Sequence, residues 1–358
     1  MSTRSTMLAT DAGFPLLSDS WCAAPGEPLG LVLGRLGLLA SGERIEHVAR
    51  AGEGNMNLTL RVTTSVRTLI VKQSRPWVEK YPSIPAPVER TSVEHAFYRE
   101  IADIRGVAGR MPRVLGFDAT MHVLVLEDLG SLRDLTAVYR GMTLPGTALA
   151  ELASYLVCLH AGTRGRVAGF PSNMAMRRLN FEHIFNVPLD PANGLDFDKH
   201  EPGLRAASAA IISDSCVRAR FTALGARYLS PGPCLIHGDF FPGSWVEGDQ
   251  GVRIIDPEFG FAGEAEFDVG VAMGHLTIAD ATGEMPRQWL AASLTAFESD
   301  GTITLDPRLV VDYAAVEMIR RLIGVAQLPM PKSDGRRAAL LETARRALHT
   351  HTPESLQP

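Results

Sequence analysis

The 358-residue sequence has few cysteines and no long uninterrupted hydrophobic run. The cysteines are Cys22, Cys158, Cys216 and Cys234, and their wide spacing without a C-x-x-C pair argues against a disulfide framework or a zinc site. The most apolar early stretch, residues 29–40, contains Arg35 and is shorter than the roughly 20 residues that a spanning helix needs. The first residues also lack the apolar segment of a secretory signal. We therefore expect a cytoplasmic protein with no membrane partner.

Positive charge is not in excess. The 35 Lys and Arg residues are outnumbered by 40 Asp and Glu residues, which gives a formal net charge of −5. The sequence thus lacks the broad basic character typical of nucleic-acid-binding proteins, and we expect no nucleic-acid partner. The hydrophobic fraction of 46% and the charged fraction of 21% are ordinary for a globular chain. The length corresponds to two domains or to one domain of two lobes.

The first third of the sequence has mixed patterns. Residues 1–47 contain Gly and Pro breaks and predict a short helical preamble. Alternation of apolar and polar residues over 58–72 predicts an antiparallel hairpin. A helix is predicted over about 89–104, and a buried strand over 122–126. Residues 48–129 are therefore expected to form a small β-rich lobe.

Helical periodicity dominates from residue 132 onward. It predicts a helix over 147–160 and one long helix over 204–229. Asp306, followed by Pro307, is a typical helix start. We predict an α+β fold in which residues 130–358 form a larger, mainly helical lobe.

Two short strand-like segments interrupt these helices, and each ends in acidic residues. The first leads to Asp239, and the second leads to Asp256 and Glu258. In an extended segment, side chains two apart share a face, so the second pair can present both carboxylates to a hard cation such as Mg²⁺. Asp239 can accept a hydroxyl proton, and Ser244 offers an oxygen to a metal or phosphate. This division of roles suits phosphoryl transfer, which depends on alignment and charge neutralisation.

Two neighbouring residues are assigned structural roles. We expect His237 to be a buried scaffold histidine rather than a base. We expect Asp268 to cap the helix that follows it.

The glycine-containing segment 52–57 precedes the hairpin and could fold over a triphosphate, because glycines allow backbone N–H groups to approach anionic oxygens. Alone, such a segment is more typical of a plain turn, and no G-x-x-x-x-G-K-[ST] motif occurs in the chain. Lys72 ends the second hairpin strand, where its ammonium could meet phosphates. Its partner in the next helix is either Glu94 or Glu100. A solvated surface lysine is the alternative.

Together these motifs resemble the aminoglycoside phosphotransferase superfamily of small-molecule kinases, and within it the methylthioribose kinases. The resemblance covers roughly residues 48–330. It is carried by residues 52–57, 71–73, 126–129, 237–239, 243–244, 255–259 and 318–321. Many members of the superfamily have asparagine five residues after the catalytic aspartate, whereas Ser244 stands there in this chain, as expected for the methylthioribose kinases.

The resemblance implies a bilobal protein-kinase-like fold and a kinase that uses ATP and Mg²⁺. It makes Asp239 the catalytic base and assigns magnesium to Asp256, Glu258 and Ser244. The residues it assigns to ATP are Gly52, Gly54, Asn55, Asn57, Lys72, Glu94, Glu127 and Leu129. Arg320 and Arg321 would face a sugar-like substrate, and a basic helix end that complements the helix dipole is the alternative. The same subfamily implies a homodimer.

The substrate remains open at this stage. Residues 240–242 are more apolar than expected for the family, and Gln327 stands where a histidine is expected. Methylthioribose is the first candidate, followed by another furanose or deoxy sugar, an aminoglycoside or another small metabolite. Two further alternatives are a catalytically inactive nucleotide-binding scaffold and a metal-dependent hydrolase that uses His237, Asp239 and Asp256.

Overall fold

The computed structural model describes residues 12–19, 27–52, 56–248, 251–331 and 335–356. These residues form two compact units. The first unit consists of the described residues up to Ala102 together with Met111–Ser131. The second consists of Asp103–Arg110 and the described residues from Leu132 onward.

The first unit is built on a five-stranded antiparallel sheet with the strand order β1-β2-β3-β7-β6. Its strands are β1 (Ile45–Arg50), β2 (Leu58–Thr64), β3 (Thr68–Gln73), β6 (Val114–Asp118) and β7 (Val123–Glu127). A small hairpin, β4 (Trp77–Val78) and β5 (Tyr81–Pro85), and the helices α1 (Pro28–Arg35) and α2 (Arg90–Glu100) complete the unit. The predicted hairpin and strand are confirmed, and α2 is shorter than predicted.

The apolar face of β2 shows why this hairpin forms. Leu58, Leu60 and Val62 alternate along the strand and are fully buried. They share one hydrophobic cluster with Leu29 and Leu33 of α1. Burying a side chain of this size contributes about 1.5–3 kcal/mol, so the alternation in the sequence specifies both the register and the packed face.

The second unit is mainly helical. Its helices are α3 (Arg105–Ala108), α4 (Gly146–Thr163), α5 (Met174–Phe181), α6 (Leu204–Ser213), α7 (Ser215–Leu229), α8 (Ala265–Ala279), α9 (Glu284–Asp300), α10 (Pro307–Ile323) and α11 (Arg336–Thr350). Its strands are β8 (Arg133–Asp134), β9 (Cys234–Ile236), β10 (Trp245–Gly248), β11 (Gly251–Ile254) and β12 (Phe261–Gly263). In the described part of the chain, no helix is long and apolar enough to cross a membrane.

Helices α8 and α10 pack very closely. A Cβ atom at Gly270 or Gly274 would lie 2.6 Å from an atom of Tyr313 or Ala314 in α10. These two glycines therefore allow the backbones to approach and fix α8 against α10. The contact matters for function because both helices carry site residues.

The prediction of one long helix over 204–229 is wrong, because the helix is interrupted at Asp214 and two helices form instead. The Asp214 side chain accepts hydrogen bonds from the N–H groups of Cys216 and Val217 and caps α7. Helical periodicity continues across this point, so only the capping residue marks the break. The predicted start at Asp306 is confirmed, since its carboxylate accepts from the Arg308 N–H at the beginning of α10.

Candidate active site

The loop that follows β9 carries the predicted catalytic sequence His-Gly-Asp. Strand β9 pairs antiparallel with β12. Gly238 has φ of +82°, and a Cβ atom there would lie 2.3 Å from the Phe259 carbonyl oxygen. Only glycine fits this position, because any side chain meets both an unfavourable backbone conformation and a backbone atom.

Asp268 anchors this loop. The residue is fully buried in the first turn of α8, and its carboxylate accepts from the N–H of His237 at 2.7 Å and from the N–H of Gly238 at 2.9 Å. His160 Nε2 lies 3.0 Å from the same carboxylate. The prediction of a helix cap is therefore wrong, since Glu264 occupies the cap position and Asp268 lies inside the helix facing the loop.

His237 has the scaffold role predicted for it. Its ring is fully buried, and Nε2 lies 3.0 Å from the carbonyl oxygen of Ile255. Burial lowers the pKa of His237, so the neutral ring donates this hydrogen bond. The contact ties the catalytic loop to the segment that follows β11.

Asp239, the predicted base, is partly exposed and contacts a buried arginine. Its side chain is 19% exposed, and one guanidinium nitrogen of Arg321, Nη2, lies 3.4 Å from its Oδ1. Burial raises the pKa of the Asp239 carboxyl, while Arg321 and Arg320 act in the opposite direction. Ser244 lies close by, and its hydroxyl donates to the Asp239 carbonyl oxygen at 3.0 Å. The carboxylate is thus accessible, oriented and partly desolvated.

Asp256 and Glu258 follow β11, but not in the extended geometry that the sequence analysis assumed. The backbone of Asp256 adopts the left-handed conformation, with φ of +64°. Pro257 then starts a 3-10 turn that includes Glu258. Glu258 is buried, and its carbonyl oxygen accepts from the Asn173 side chain at 3.0 Å. A left-handed non-glycine residue costs about 1–3 kcal/mol and is typical of functional sites.

No group of three or more His, Cys, Asp or Glu side chains among the described residues could hold a metal ion. Mg²⁺ usually needs only one or two carboxylates, with phosphate oxygens and water completing its shell. The carboxylates of Asp256 and Glu258, with the Ser244 hydroxyl nearby in the sequence, are hard oxygen donors of this kind. The donor set therefore fits an ion that arrives with a nucleotide.

The two arginines near the end of α10 are buried around an acid that the sequence analysis missed. Arg320 Nη1 lies 3.0 Å and Arg321 Nε lies 2.6 Å from the Glu317 carboxylate. Arg320 also contacts Asn180 Oδ1 at 3.3 Å. Exposed basic residues at a helix end would not be enclosed in this way. The spacing Glu-x-x-Arg-Arg, which places all three on one helix face, was the signal available in the sequence.

The first unit contains the predicted lysine and glutamate pair. Lys72 Nζ lies 2.7 Å from both oxygens of Glu94, and the two side chains are 3% and 0% exposed. In the sheet register Lys72 is paired with Thr59 of β2 and Leu124 of β7. This excludes the solvated surface lysine and identifies Glu94, rather than Glu100, as the partner.

The other residues assigned to ATP are placed as follows. Gly52 has φ of +71°, a conformation that favours glycine. Gly54 and Asn55 lie outside the described residues. Asn57 is buried, and its side-chain oxygen accepts from Arg90 Nε at 2.7 Å and from the Ser74 hydroxyl at 3.2 Å. Asn57 therefore uses its amide oxygen to bind two side chains of the first unit.

The segment after β7 was predicted to contact adenine. Glu127 ends β7 and forms an ion pair with Arg113, and Leu129 is partly exposed two residues later. Between them Asp128 is bound by Arg61, with Nε 2.8 Å from the carboxylate. These ion pairs hold the segment in place at the end of the sheet.

Comparison with known proteins identifies the family of the chain. Residues 47–307 match the model of the phosphotransferase enzyme family. A methylthioribose kinase of Cronobacter sakazakii is 28% identical over 261 residues, which is 68% of this chain and 63% of that sequence. A methylthioribose kinase of Exiguobacterium sibiricum is 27% identical over 337 residues, which is 83% of this chain and 84% of that sequence.

Solved structures show the fold. A choline/ethanolamine kinase family protein from Mesorhizobium loti has a TM-score of 0.52 at 17% identity, covering 92% of this chain and 99% of that one. The gentamicin complex of APH(2″)-IIa has a TM-score of 0.52 at 12% identity, covering 94% of this chain and 100% of that one. The predicted protein-kinase-like fold is thereby confirmed. From the family match and the residues above, the chain belongs to the phosphotransferase enzyme family.

Proposed function

We propose that this protein is an ATP- and Mg²⁺-dependent kinase that phosphorylates a hydroxyl group of a small sugar-like molecule, with methylthioribose as the first candidate. The observation that carries the proposal is the contact of Arg321 with Asp239, at 3.4 Å, which joins a base to a hydrogen-bond donor for the acceptor. The relatives named methylthioribose kinase support this choice of acceptor.

Each proposed residue has a distinct role in the reaction. Asp239 accepts the proton of the acceptor hydroxyl as the new bond between oxygen and the γ-phosphorus forms. The bond between that phosphorus and the bridging oxygen breaks, and ADP leaves. Lys72, fixed by Glu94, would neutralise phosphate charge, and Asp256 and Glu258 would hold Mg²⁺. When bound, the ion supplies further charge neutralisation at the phosphates.

The charges around Asp239 favour a neutral acceptor. The carboxylates of Asp239 and Glu317 are balanced by the guanidinium groups of Arg320 and Arg321. Because these four charges cancel, the cluster offers no net negative charge that would attract a polycationic aminoglycoside or a quaternary amine. A polyol, in contrast, can accept hydrogen bonds from them.

Glu264 and Glu266, two acids at the start of α8 that could attract a polycationic aminoglycoside, are already bound by other groups. Glu264 forms two contacts with Arg227, at 2.6 and 3.0 Å, and accepts from the Tyr313 hydroxyl at 3.1 Å. Glu266 accepts from the Asp306 N–H at 3.1 Å. Their partners argue against an acidic pocket for a polycation and favour a sugar.

The test is ADP formation by the purified protein with Mg²⁺ and ATP against a panel of methylthioribose, other pentoses and deoxy sugars, choline and aminoglycosides. We expect turnover with methylthioribose or another neutral furanose and none with the cations. Preferred turnover of a cationic acceptor would overturn the charge argument. Absence of acceptor-dependent ADP across the panel would overturn the proposed function.

The homodimer implied by the resemblance remains a prediction. Light scattering coupled to size-exclusion chromatography distinguishes twice the chain mass of 38.7 kDa from a single copy.

A further inference from the structure

A buried row of polar side chains lies behind the arginine pair. The Tyr139 hydroxyl lies 2.6 Å from His275 Nδ1, and His275 Nε2 lies 3.0 Å from Glu317 Oε1. Tyr139, His275 and Glu317 are all buried. The row continues through Arg321 to Asp239, so it connects the interior of the second unit to the predicted base.

The protonation of this row follows from its surroundings. Burial raises the pKa of the Tyr139 hydroxyl well above its usual value, so the hydroxyl keeps its proton. Burial also lowers the pKa of His275 to about 4, although Glu317 acts in the opposite direction, so the ring is neutral and carries one proton. Burial acts to raise the pKa of Glu317, but Arg320, Arg321 and the bond from His275 outweigh it and hold this pKa well below its usual range.

Only one hydrogen-bond arrangement satisfies these states. An ionised Glu317 can only accept, so His275 must carry its proton on Nε2. His275 Nδ1 is then unprotonated and accepts a hydrogen bond from the Tyr139 hydroxyl. The direction of both hydrogen bonds is therefore fixed without reference to any ligand.

The Glu317 carboxylate is the point on which the donors converge. Oε1 accepts from His275 Nε2 at 3.0 Å, from Arg321 Nε at 2.6 Å and from Arg320 Nη1 at 3.2 Å. Oε2 accepts from Arg320 Nη1 at 3.0 Å. Because the His275 bond restrains the carboxylate, it also sets the plane and direction of both guanidinium groups.

We propose that Glu317, oriented by His275 and Tyr139, is a positioning residue that aims the two guanidinium groups at the phosphate acceptor and balances their charge at Asp239. The acceptor role rests on the proposed function. Glu317 itself does not touch Asp239, and it acts through Arg321.

The substitution Glu317→Gln keeps the shape but removes the charge and one acceptor oxygen. The amide cannot accept from every donor that meets the carboxylate, so at least one guanidinium turns away. We expect KM for the acceptor to rise by about 10- to 100-fold, since each bond to a charged group is worth roughly a factor of ten or more. KM for ATP should change by less than about twofold, because the nucleotide residues are not in this row.

The two KM values together provide a readout that a purely structural role would not move. A loss of stability alone lowers the amount of folded enzyme and leaves both KM values unchanged, whereas misplaced guanidinium groups raise only the KM for the acceptor.

Asp312→Asn is the matched control. Asp312 is also a buried acid on α10, and its partners are Arg220 and His351, whose Nδ1 lies 2.7 Å away. Loss of the Asp312 charge should destabilise the same helix and leave the KM for the acceptor unchanged. A second variant, Tyr139→Phe, keeps the packing but removes the donor to His275, and we expect a smaller rise in acceptor KM, about two- to fivefold.

The tautomer of His275 can be measured without any acceptor. Proton and nitrogen correlation spectra of the protein labelled with ¹⁵N-histidine report which ring nitrogen is protonated, and His275→Gln assigns the signal among the 10 histidines. We expect the Nε2–H tautomer in the wild type and an altered signal in Glu317→Gln. The Nδ1–H tautomer in the wild type would overturn the arrangement.

The outcomes separate the two proposals. If the wild type phosphorylates an acceptor but Glu317→Gln matches Asp312→Asn in the KM for the acceptor, the positioning role is overturned and the proposed function stands. If the wild type forms no ADP with any acceptor, the proposed function fails and takes the acceptor role with it, whatever the tautomer. The positioning role is supported when the higher acceptor KM, the unchanged KM for ATP and the Nε2–H tautomer are found together.

Discussion

The buried pair of Lys72 and Glu94 makes a sharp prediction about the first unit. Substituting Glu94 by Gln leaves the Lys72 ammonium in a site where its side chain is 3% exposed, without the carboxylate that now lies 2.7 Å from it. Breaking a buried ion pair by removing one partner costs about 3–5 kcal/mol of unfolding free energy, because the remaining buried charge loses the carboxylate that offsets its desolvation. The control is Asp19→Asn, the same chemical change in an ion pair with Arg50 whose two side chains are more than 40% exposed. That change should cost less than about 1 kcal/mol.

Urea unfolding measures the free energies, and hydrogen exchange of the β3 amides locates the loss in the first unit. A double variant, Lys72→Met with Glu94→Leu, should recover most of the stability, since an apolar pair of similar volume replaces the buried ion pair. It should still bind ATP at least tenfold more weakly, because the proposed phosphate contact is absent. Equal losses in Glu94→Gln and Asp19→Asn would refute the reasoning from burial, and ATP affinity at the wild-type level in the double variant would refute the role of Lys72.

Three further predictions concern the second unit. Gly238→Ala should reduce kcat by at least tenfold at an unchanged ATP affinity, because its Cβ would meet the Phe259 carbonyl; wild-type kcat would contradict the loop geometry. Asp268→Asn should lower the unfolding free energy by about 2–4 kcal/mol through loss of its charged hydrogen bonds to the loop backbone, and thermal unfolding that matches the wild type would contradict this anchor. Burial acts to raise the pKa of Asp214, but hydrogen bonds to its carboxylate, including that from His349, outweigh burial and hold the pKa at about 2. The contribution of Asp214 to stability is therefore full above its ordinary pKa of 3.8 and is lost as the pH falls toward 2. Asp214→Asn should reduce that acid dependence in pH-resolved unfolding, and an unchanged profile would be contrary to expectation.

Local patterns in the sequence were sufficient to predict the helices and strands that bury one face. Strand β2 alternates because one side packs on the core, and Asp306 marks the start of α10 because its carboxylate caps that helix. The acids at 239, 256 and 258 were found because each follows a short strand. These signals are local, so each element could be predicted without its partners.

The features that the sequence analysis missed depend on distant partners. Asp268 binds backbone groups 30 and 31 residues earlier, and nothing in its neighbourhood distinguishes this role from a helix cap. Helix α8 is buried on all sides, so it has no polar face that would indicate which way His275 points. Glu317 had a usable local signal in its spacing to the two arginines, but its bond to His275 depends on the close packing of α8 against α10.

The most direct test of the account compares wild type and Asp239→Asn in acceptor-dependent ADP formation and in ATP affinity. Asparagine keeps the size of the side chain but cannot take the proton of the acceptor hydroxyl, so kcat should fall by about 10²- to 10⁴-fold while the Kd for ATP stays within about threefold. Turnover at the wild-type rate in Asp239→Asn would contradict the assignment of Asp239 as the base, and with it the central claim that this loop performs the phosphoryl transfer.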